Sequence, residues 1–112
     1  MAFTTSTVTS NNIGTRQFQG AFSEMWDVTA TVNPASTAAG AEDTGTLTVP
    51  GVALGDMVLG WAAGVDLTAD AAVSVYVSAA NTVTIRLSNL HASNALDLAS
   101  STWKFLIGRP NW

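Results

Sequence analysis

The stretch VSVYVSAANTVTIRL, residues 73–87, decides the fold class of this chain. Apolar and polar residues alternate over residues 73–77 and again over 83–87, which is the period of a half-buried β-strand. Residues 78–81, Ser-Ala-Ala-Asn, separate the two runs and supply the chemistry of a short turn. The stretch therefore predicts a β-hairpin.

Further strands are predicted on both sides of this hairpin, at residues 26–32, 46–49, 57–61 and 103–107. Turns rich in proline and glycine separate them. Residues 62–72 fit either a short helix or a loop. Six or seven short strands with closely spaced turns predict an all-β fold, an antiparallel β-sandwich or jelly roll in a single domain.

The composition excludes several classes of protein. A chain of 112 residues has enough sequence for one hydrophobic core. Hydrophobic residues make up 47% and charged residues 11%, which excludes intrinsic disorder and an ordinary soluble helical domain. Threonine, serine and asparagine supply most of the polarity, as expected of β-structure.

The first twenty residues are polar, and their apolar residues follow neither the period of a helix nor that of a strand. We therefore predict an extended N-terminal arm at 1–20 before a β-sandwich domain at 21–112. A frayed terminus is the alternative. Phe3, Phe18 and Phe22 favour the arm, because aromatic side chains usually find something to bury against. This end lacks the features of a signal peptide, and no apolar stretch is long enough to predict a membrane span.

The chemistry of an active site is not visible in the sequence. The single histidine, His91, lies in a predicted loop with Asp97 as the one nearby carboxylate, and we interpret it as a solvated loop residue. The chain has no cysteine, no nucleophile elbow and no glycine-rich phosphate loop. We therefore predict a protein that is not an enzyme and that uses no cofactor and no metal.

Charged residues point to few partners. The pairs Glu42-Asp43 and Asp66/Asp70 fall in predicted loops, where solvation is favoured over a weak calcium site. The four basic residues are scattered, which predicts no binding to nucleic acid. They are Arg16, Arg86, Lys104 and Arg109.

An apolar composition with a net charge of −4 and few charges predicts an oligomer or a component of an assembly. The tryptophans at 26, 61 and 103 lie on predicted strands and are assigned to the sandwich. Trp112 fits equally an anchor into a neighbouring subunit and packing on its own domain. Arg16 and Arg109 are candidate donors of interface ion pairs. The candidate interface residues are Phe3, Ile13, Arg16, Phe18, Phe22, Arg109 and Trp112.

Two stretches resemble a known group of proteins. They are LTVPGVALGDMV at 47–58 and VSAANTVTIRLSN at 77–89, followed by the strand that begins Thr102-Trp103. In this order they resemble small virion proteins of tailed bacteriophages, namely capsid decoration or cement proteins. The resemblance covers Ser36 to Ile107, and Leu98 stands where the group's pattern has a proline.

The resemblance implies a structural protein on the exterior of a virus capsid. Such a protein would bind the major capsid protein, bridge neighbouring capsid subunits and associate with itself, with a trimer as the expected oligomer. The N-terminal arm would then reach an adjacent subunit. The alternative is a tail or fibre module that binds a host receptor or glycan through the loops at 62–72 and 88–101.

Overall fold

The computed structural model describes residues 3–12 and 21–112, which form seven β-strands and, within those ranges, no helix. Across the same ranges no helix exists that is long and apolar enough to span a membrane. Residues 62–72 hold the end of one strand, a loop and the first two residues of the next strand, so the loop is the correct alternative there. The strands are β1 (Thr4–Asn12), β2 (Phe22–Asn33), β3 (Glu42–Thr48), β4 (Met57–Ala62), β5 (Ala71–Ala79), β6 (Thr82–Asn89) and β7 (Ser101–Pro110).

The strands form two antiparallel sheets that pack face to face, which confirms the predicted β-sandwich. One sheet has the order β1-β2-β7-β4 and the other the order β3-β6-β5. The chain stays in one sheet from β1 to β2 and from β5 to β6, and it crosses between the sheets at each of its other connections. This wrapped order is jelly-roll-like, with seven strands instead of the eight of a full jelly roll.

The core is built from alternating residues of both sheets. On β2 the inward positions are occupied by Trp26, Val28, Ala30 and Val32, each almost wholly buried. Their polar neighbours in the strand point outward, as the period of two requires. From the rest of the chain, the buried core residues include Leu47, Val83, Ile85, Leu87, Trp103, Phe105 and Ile107. The tryptophans at 26 and 103 are therefore core residues, and Trp61 is half-buried and stacks on Trp103 with ring centroids 5.7 Å apart.

The predicted N-terminal arm requires a correction. Thr4–Asn12 forms β1, which pairs along its length with β2, and Phe3 is buried in the core. Residues 3–12 are thus part of the sandwich rather than an arm outside it, since the backbone hydrogen bonds of an exposed strand are satisfied by pairing. The other residues of the predicted arm, 1–2 and 13–20, lie outside the described residues.

The two sides of the sandwich end differently. On the side of β1 and β3, which we call the closed side, the Phe3 amide donates to the Thr44 carbonyl at 3.1 Å. The Thr5 hydroxyl donates to the Thr46 carbonyl at 2.9 Å. Phe3 lies directly over Gly45, where a Cβ atom would stand 2.2 Å from the Phe3 Cβ, so only glycine fits. Hydrogen bonds and a buried ring therefore join the two sheets here.

The opposite side, which we call the open side, is formed by β4 and β5. Within residues 3–12 and 21–112, no hydrogen bond joins these two strands. The residues that point into the sandwich there are Val58 and Trp61 from β4, and Val73 and Val75 from β5. All four are only half-buried, so apolar surface remains accessible along this side.

Candidate functional site

An arginine clamp closes one end of the sandwich. The Arg109 Nε and Nη2 atoms donate to the two carboxylate oxygens of Asp56, each at 2.9 Å. Nη2 also donates to the Gly51 carbonyl at 2.8 Å, and Nη1 donates to the Glu24 carboxylate. The guanidinium lies over the Trp26 ring, 5.3 Å from its centroid. The clamp therefore ties β7 to β2 and to the loop that precedes β4.

The clamp is electrostatically favourable. The bidentate hydrogen bonds to Asp56 raise the pKa of Arg109 above its usual value, with further contributions from the charges of Asp56 and Glu24 and opposed by burial. The Asp56 side chain is only 3% exposed, whereas that of Arg109 is 32% exposed. The guanidinium therefore stays charged at every pH near neutrality, and it compensates a carboxylate that would otherwise be buried alone.

The loop at residues 49–52 is locked onto the β5–β6 turn by Asn81. The Val49 amide donates to the Asn81 carbonyl at 2.9 Å, and the Asn81 amide donates to the Val52 carbonyl at 2.8 Å. The Gly51 amide donates to the Asn81 side chain at 2.9 Å. Gly51 (φ 98°) and Asn81 (φ 61°) are left-handed, a conformation that glycine and asparagine tolerate best. The two stretches at 47–58 and 77–89 thus contact each other directly.

A cluster of apolar side chains lies next to the clamp on the outer surface, and we call it the terminal patch. It consists of Phe22, Leu54, Met57, Leu59 and Trp112. The exposed fraction is 71% for Leu54 and 80% for Trp112, and it is smaller for the two β4 residues. The rings of Phe22 and Trp112 are 5.9 Å apart. Contiguous apolar surface of this kind is typical of protein interaction sites.

The floor of the terminal patch depends on a glycine. A Cβ atom at Gly108 would stand 2.8 Å from the Phe22 ring and 3.2 Å from Leu59, so both side chains lie directly on the β7 backbone. Beside the patch, Leu54, Asp56, Arg109 and Trp112 line a shallow depression together with Gly55 and Pro110. The patch therefore rests directly on the β7 backbone, with the charged groups of the clamp at its rim.

Those predicted interface residues that the structure describes lie in different parts of it, one buried in the core and the others at least partly exposed. Phe3 is 9% exposed and belongs to the core, so its prediction as an interface residue is wrong; it packs on Gly45 instead. Arg109 donates four hydrogen bonds within its own chain. Phe22 and Trp112 form part of the terminal patch. Ile13, Arg16 and Phe18 lie outside the described residues.

His91 has a structural role in its loop. Its Nδ1 atom accepts hydrogen bonds from the backbone amides of Ser93 and Asn94, at 3.0 and 2.9 Å. The buried Asn89 side chain accepts from the His91 amide and donates to the carbonyls of Thr37 and Asn94. His91 is half-buried, so the prediction of a solvated residue is corrected. A histidine that caps two amides is engaged in holding the loop.

The acidic pairs also differ from expectation. Glu42 and Asp43 begin β3 rather than lying in a loop, and Asp43 is 3% exposed because it occupies an inward position of the strand. Its Oδ1 atom accepts from the Thr44 amide. Asp66 lies in a loop and accepts from the Thr68 amide. No three histidine, cysteine or acidic residues in the described part of the chain are grouped as a metal site would need.

The sequence did not identify Asp56, Glu24 or the aliphatic part of the terminal patch as functional candidates. Asp56 and Arg109 are 53 positions apart, and no local pattern links them. A signal for the patch was present, however. Met57, Val58 and Leu59 are consecutive apolar residues, so a strand containing them must present apolar side chains on both faces.

The fold and the patch define the chain as a β-sandwich protein with an exposed apolar contact surface. A comparison with models of known families gave no match, and searches among curated proteins and solved structures likewise found no similar protein.

Proposed function

We propose that this protein is a structural component of a virus particle, a decoration or cement protein that binds the outer surface of a capsid. There it would bridge neighbouring subunits of the major capsid protein and stabilise the head, because a bound subunit must be released before the shell can come apart. The order of the two stretches at 47–58 and 77–89, described above, supports this class of protein.

The observation that carries the proposal is the terminal patch. Interface cores are apolar, contain aromatic anchors and have polar rims. The patch matches this description, with Trp112 as the anchor and the clamp of Arg109 and Asp56 at the rim. Because the hydrogen bonds of the clamp hold the backbone beside the patch, little conformational freedom would be lost there on binding to a rigid shell.

The first experiment is to count copies of this chain in purified particles, relative to the major capsid protein, by quantitative mass spectrometry. A ratio near one, or a simple fraction of one, is expected for a protein that covers the shell. A few copies per particle would instead indicate a tail or fibre component. Complete absence from particles would overturn the virion role.

A pair of matched variants tests the terminal patch itself. Leu54→Ser removes an apolar side chain from the patch, and Leu90→Ser removes one of similar exposure that follows β6, outside the patch. Leu54→Ser is expected to weaken binding to heads that lack this chain by about tenfold, whereas Leu90→Ser leaves binding unchanged. Equal effects of the two variants would exclude the patch as the contact surface.

One observation favours the second candidate, a module that binds a glycan or receptor. Trp112 is 80% exposed and lies beside the depression that contains Asp56 and Arg109, and a sugar can stack on such a ring while polar groups contact its hydroxyls. A glycan array distinguishes the two candidates. Binding that is lost in Trp112→Ala would favour the second candidate, and an array without binding would leave the capsid role.

A further inference from the structure

The outer edge of β5 presents unpaired backbone groups. The Leu90 amide donates to the Asp70 carbonyl at 2.8 Å, and residues of β5 and β6 continue in the same register as far as Val77. Hydrogen-bonded and non-hydrogen-bonded pairs alternate in an antiparallel ladder. Ser74 and Tyr76 therefore bond to β6, whereas Val73, Val75 and Val77 direct their amide and carbonyl groups toward the open side.

This edge lacks the usual protection against pairing. Edge strands are normally protected by lysine, proline, a bulge or a covering segment. β5 contains no charged residue and no proline, and its single irregularity lies at its end, between Val77 and Ala79. In the described part of the chain, no loop hydrogen bond reaches the backbone of the three valines. The edge is a regular template for another strand.

The sequence of β5, AAVSVYVSA, reads almost the same in both directions from Val75. We propose that β5 pairs with β5 of a second copy of this chain, antiparallel around a two-fold axis at Val75. Val73 would then lie opposite Val77 of the second copy, and Ser74 opposite its Tyr76. A two-fold contact must be self-complementary. This register places valine opposite valine on the face that points into the sandwich, and Ser74 opposite Tyr76 on the outer face.

The backbone geometry agrees with this register. The three valines that direct their backbone groups outward, at 73, 75 and 77, are the ones that face each other around an axis at Val75. Two copies would exchange about six hydrogen bonds through them. An axis between two residues would instead place an outward-bonding valine opposite a residue that is bonded to β6, so it leaves groups unpaired.

Charge and ring geometry fit a second copy as well. Arg86 is the cation of the outer face here, 5.7 Å from the centroid of the Tyr76 ring and 3.3 Å from its hydroxyl. Ser74 is the residue of β5 that lies directly opposite Arg86 of β6. Tyr76 of the second copy, opposite Ser74, would therefore lie near Arg86 and offer it a second ring. β5 and β6 contain no carboxylate, so the net charge of −4 causes no repulsion along this edge.

Pairing would also cover the open side. Val58 and Trp61 of β4 lie beside β5 and are half-exposed, so the apolar strips of two copies would meet across the axis. A strand of nine residues gives a contact about 30 Å long, which places the interface at the small end of stable interfaces. A dissociation constant on the order of micromolar is expected. This inference goes beyond the proposed function and does not depend on it, because the terminal patch lies on the other sheet.

Sedimentation of the full chain over a range of concentrations tests the pairing. The mass is expected to rise from one copy of 11.6 kDa to two, and no further. Ser74→Lys adds a charge at the proposed contact and is expected to raise the dissociation constant at least tenfold, about 1.4 kcal/mol. Thr44→Lys is the matched control, because Thr44 is also exposed and pairs with the same Arg86 from the opposite edge. It is expected to change the constant by less than about twofold.

A crosslink tests the register independently. The chain has no cysteine, so a thiol introduced by Val75→Cys can form a disulfide only with another copy. Residues opposite each other in a hydrogen-bonded pair have Cα atoms about 5.5 Å apart, within the range of a disulfide. Rapid oxidation to a covalent dimer is expected for Val75→Cys and not for Thr44→Cys. A monomer at all concentrations, a trimer, or equal effects of the two lysine variants would overturn the proposal.

Discussion

The closed and the open side show two ways of ending the same pair of sheets. On the closed side, the chain covers its own edge, because Phe3 enters the core and donates to Thr44, while Thr5 reaches Thr46. On the open side, no such segment covers the valines of β5 among the described residues. One edge of the sandwich is therefore protected by the chain itself, whereas the uncharged edge of β5 is not. In our interpretation, the second copy does at the open side what residues 3–5 do at the closed side.

The largest effect is expected at the closed side. Gly45→Ala places a methyl group on the Phe3 side chain and should lower the free energy of unfolding by about 3 kcal/mol, as overpacking does in cores. Urea unfolding measures this change. In a Phe3→Gly background, which removes the Phe3 Cβ atom as well as the ring, the same substitution has room and should cost less than about 1 kcal/mol. Equal costs in both backgrounds would mean that Phe3 does not close this side.

An intermediate effect is expected at the clamp, which lies at one end of the sandwich. Asp56→Ala leaves Arg109 without its bidentate partner and should lower the free energy of unfolding by about 2 kcal/mol, less than for a fully buried pair because the guanidinium is partly exposed. Thermal unfolding of Asp56→Ala and of the control Asp66→Ala compares a buried carboxylate with an exposed one. A larger loss than for Gly45→Ala would show that the clamp contributes more to stability than the closed side.

The smallest effect is expected at the open side. Val75 is half-buried, so Val75→Ala should lower the free energy of unfolding by about 1 kcal/mol in dilute solution. Val28→Ala should lower it by about 2–3 kcal/mol, because Val28 is fully buried in the core. If a second copy covers the edge, the cost of Val75→Ala must grow with protein concentration, whereas that of Val28→Ala stays constant. Urea unfolding at two concentrations measures both. A cost of Val75→Ala independent of concentration would argue against the dimer.

Most of the strands that the sequence predicted turn apolar residues inward at every second position. This holds for β2, β5, β6 and β7, and each of them contains a predicted run. β1 was missed because its alternation is broken. Its register shifts between Ser6 and Thr9, with Thr7 in a left-handed conformation (φ 51°), so the period of two is lost. Polar residues at both faces of an edge strand then resemble a free arm.

The candidate site was predictable only in part. Trp112 stood out because it follows the last predicted strand; it is largely exposed, and its ring lies 5.9 Å from that of Phe22 in the same chain. The partners of Arg109 could not be predicted, because the clamp joins residues from three separate parts of the chain. The order of the strands in the sheet determines which carboxylates lie near a given guanidinium. The alternation of apolar and polar residues along one strand does not reveal that order.

The position of β7 has a consequence for how the protein is made. β7 is the last of the seven strands, yet it lies between β2 and β4, where it pairs Ile107 with Trp26 across more than half of the chain. When only the first six strands have been synthesised, the sheet of β1, β2 and β4 therefore lacks the strand that lies between β2 and β4. Long-range pairings of this kind close slowly, and partly folded chains expose strand edges in the meantime. Folding of this sandwich is therefore expected to be completed only after β7 has been synthesised, and until then β2 and β4 lack the strand that pairs with both of them.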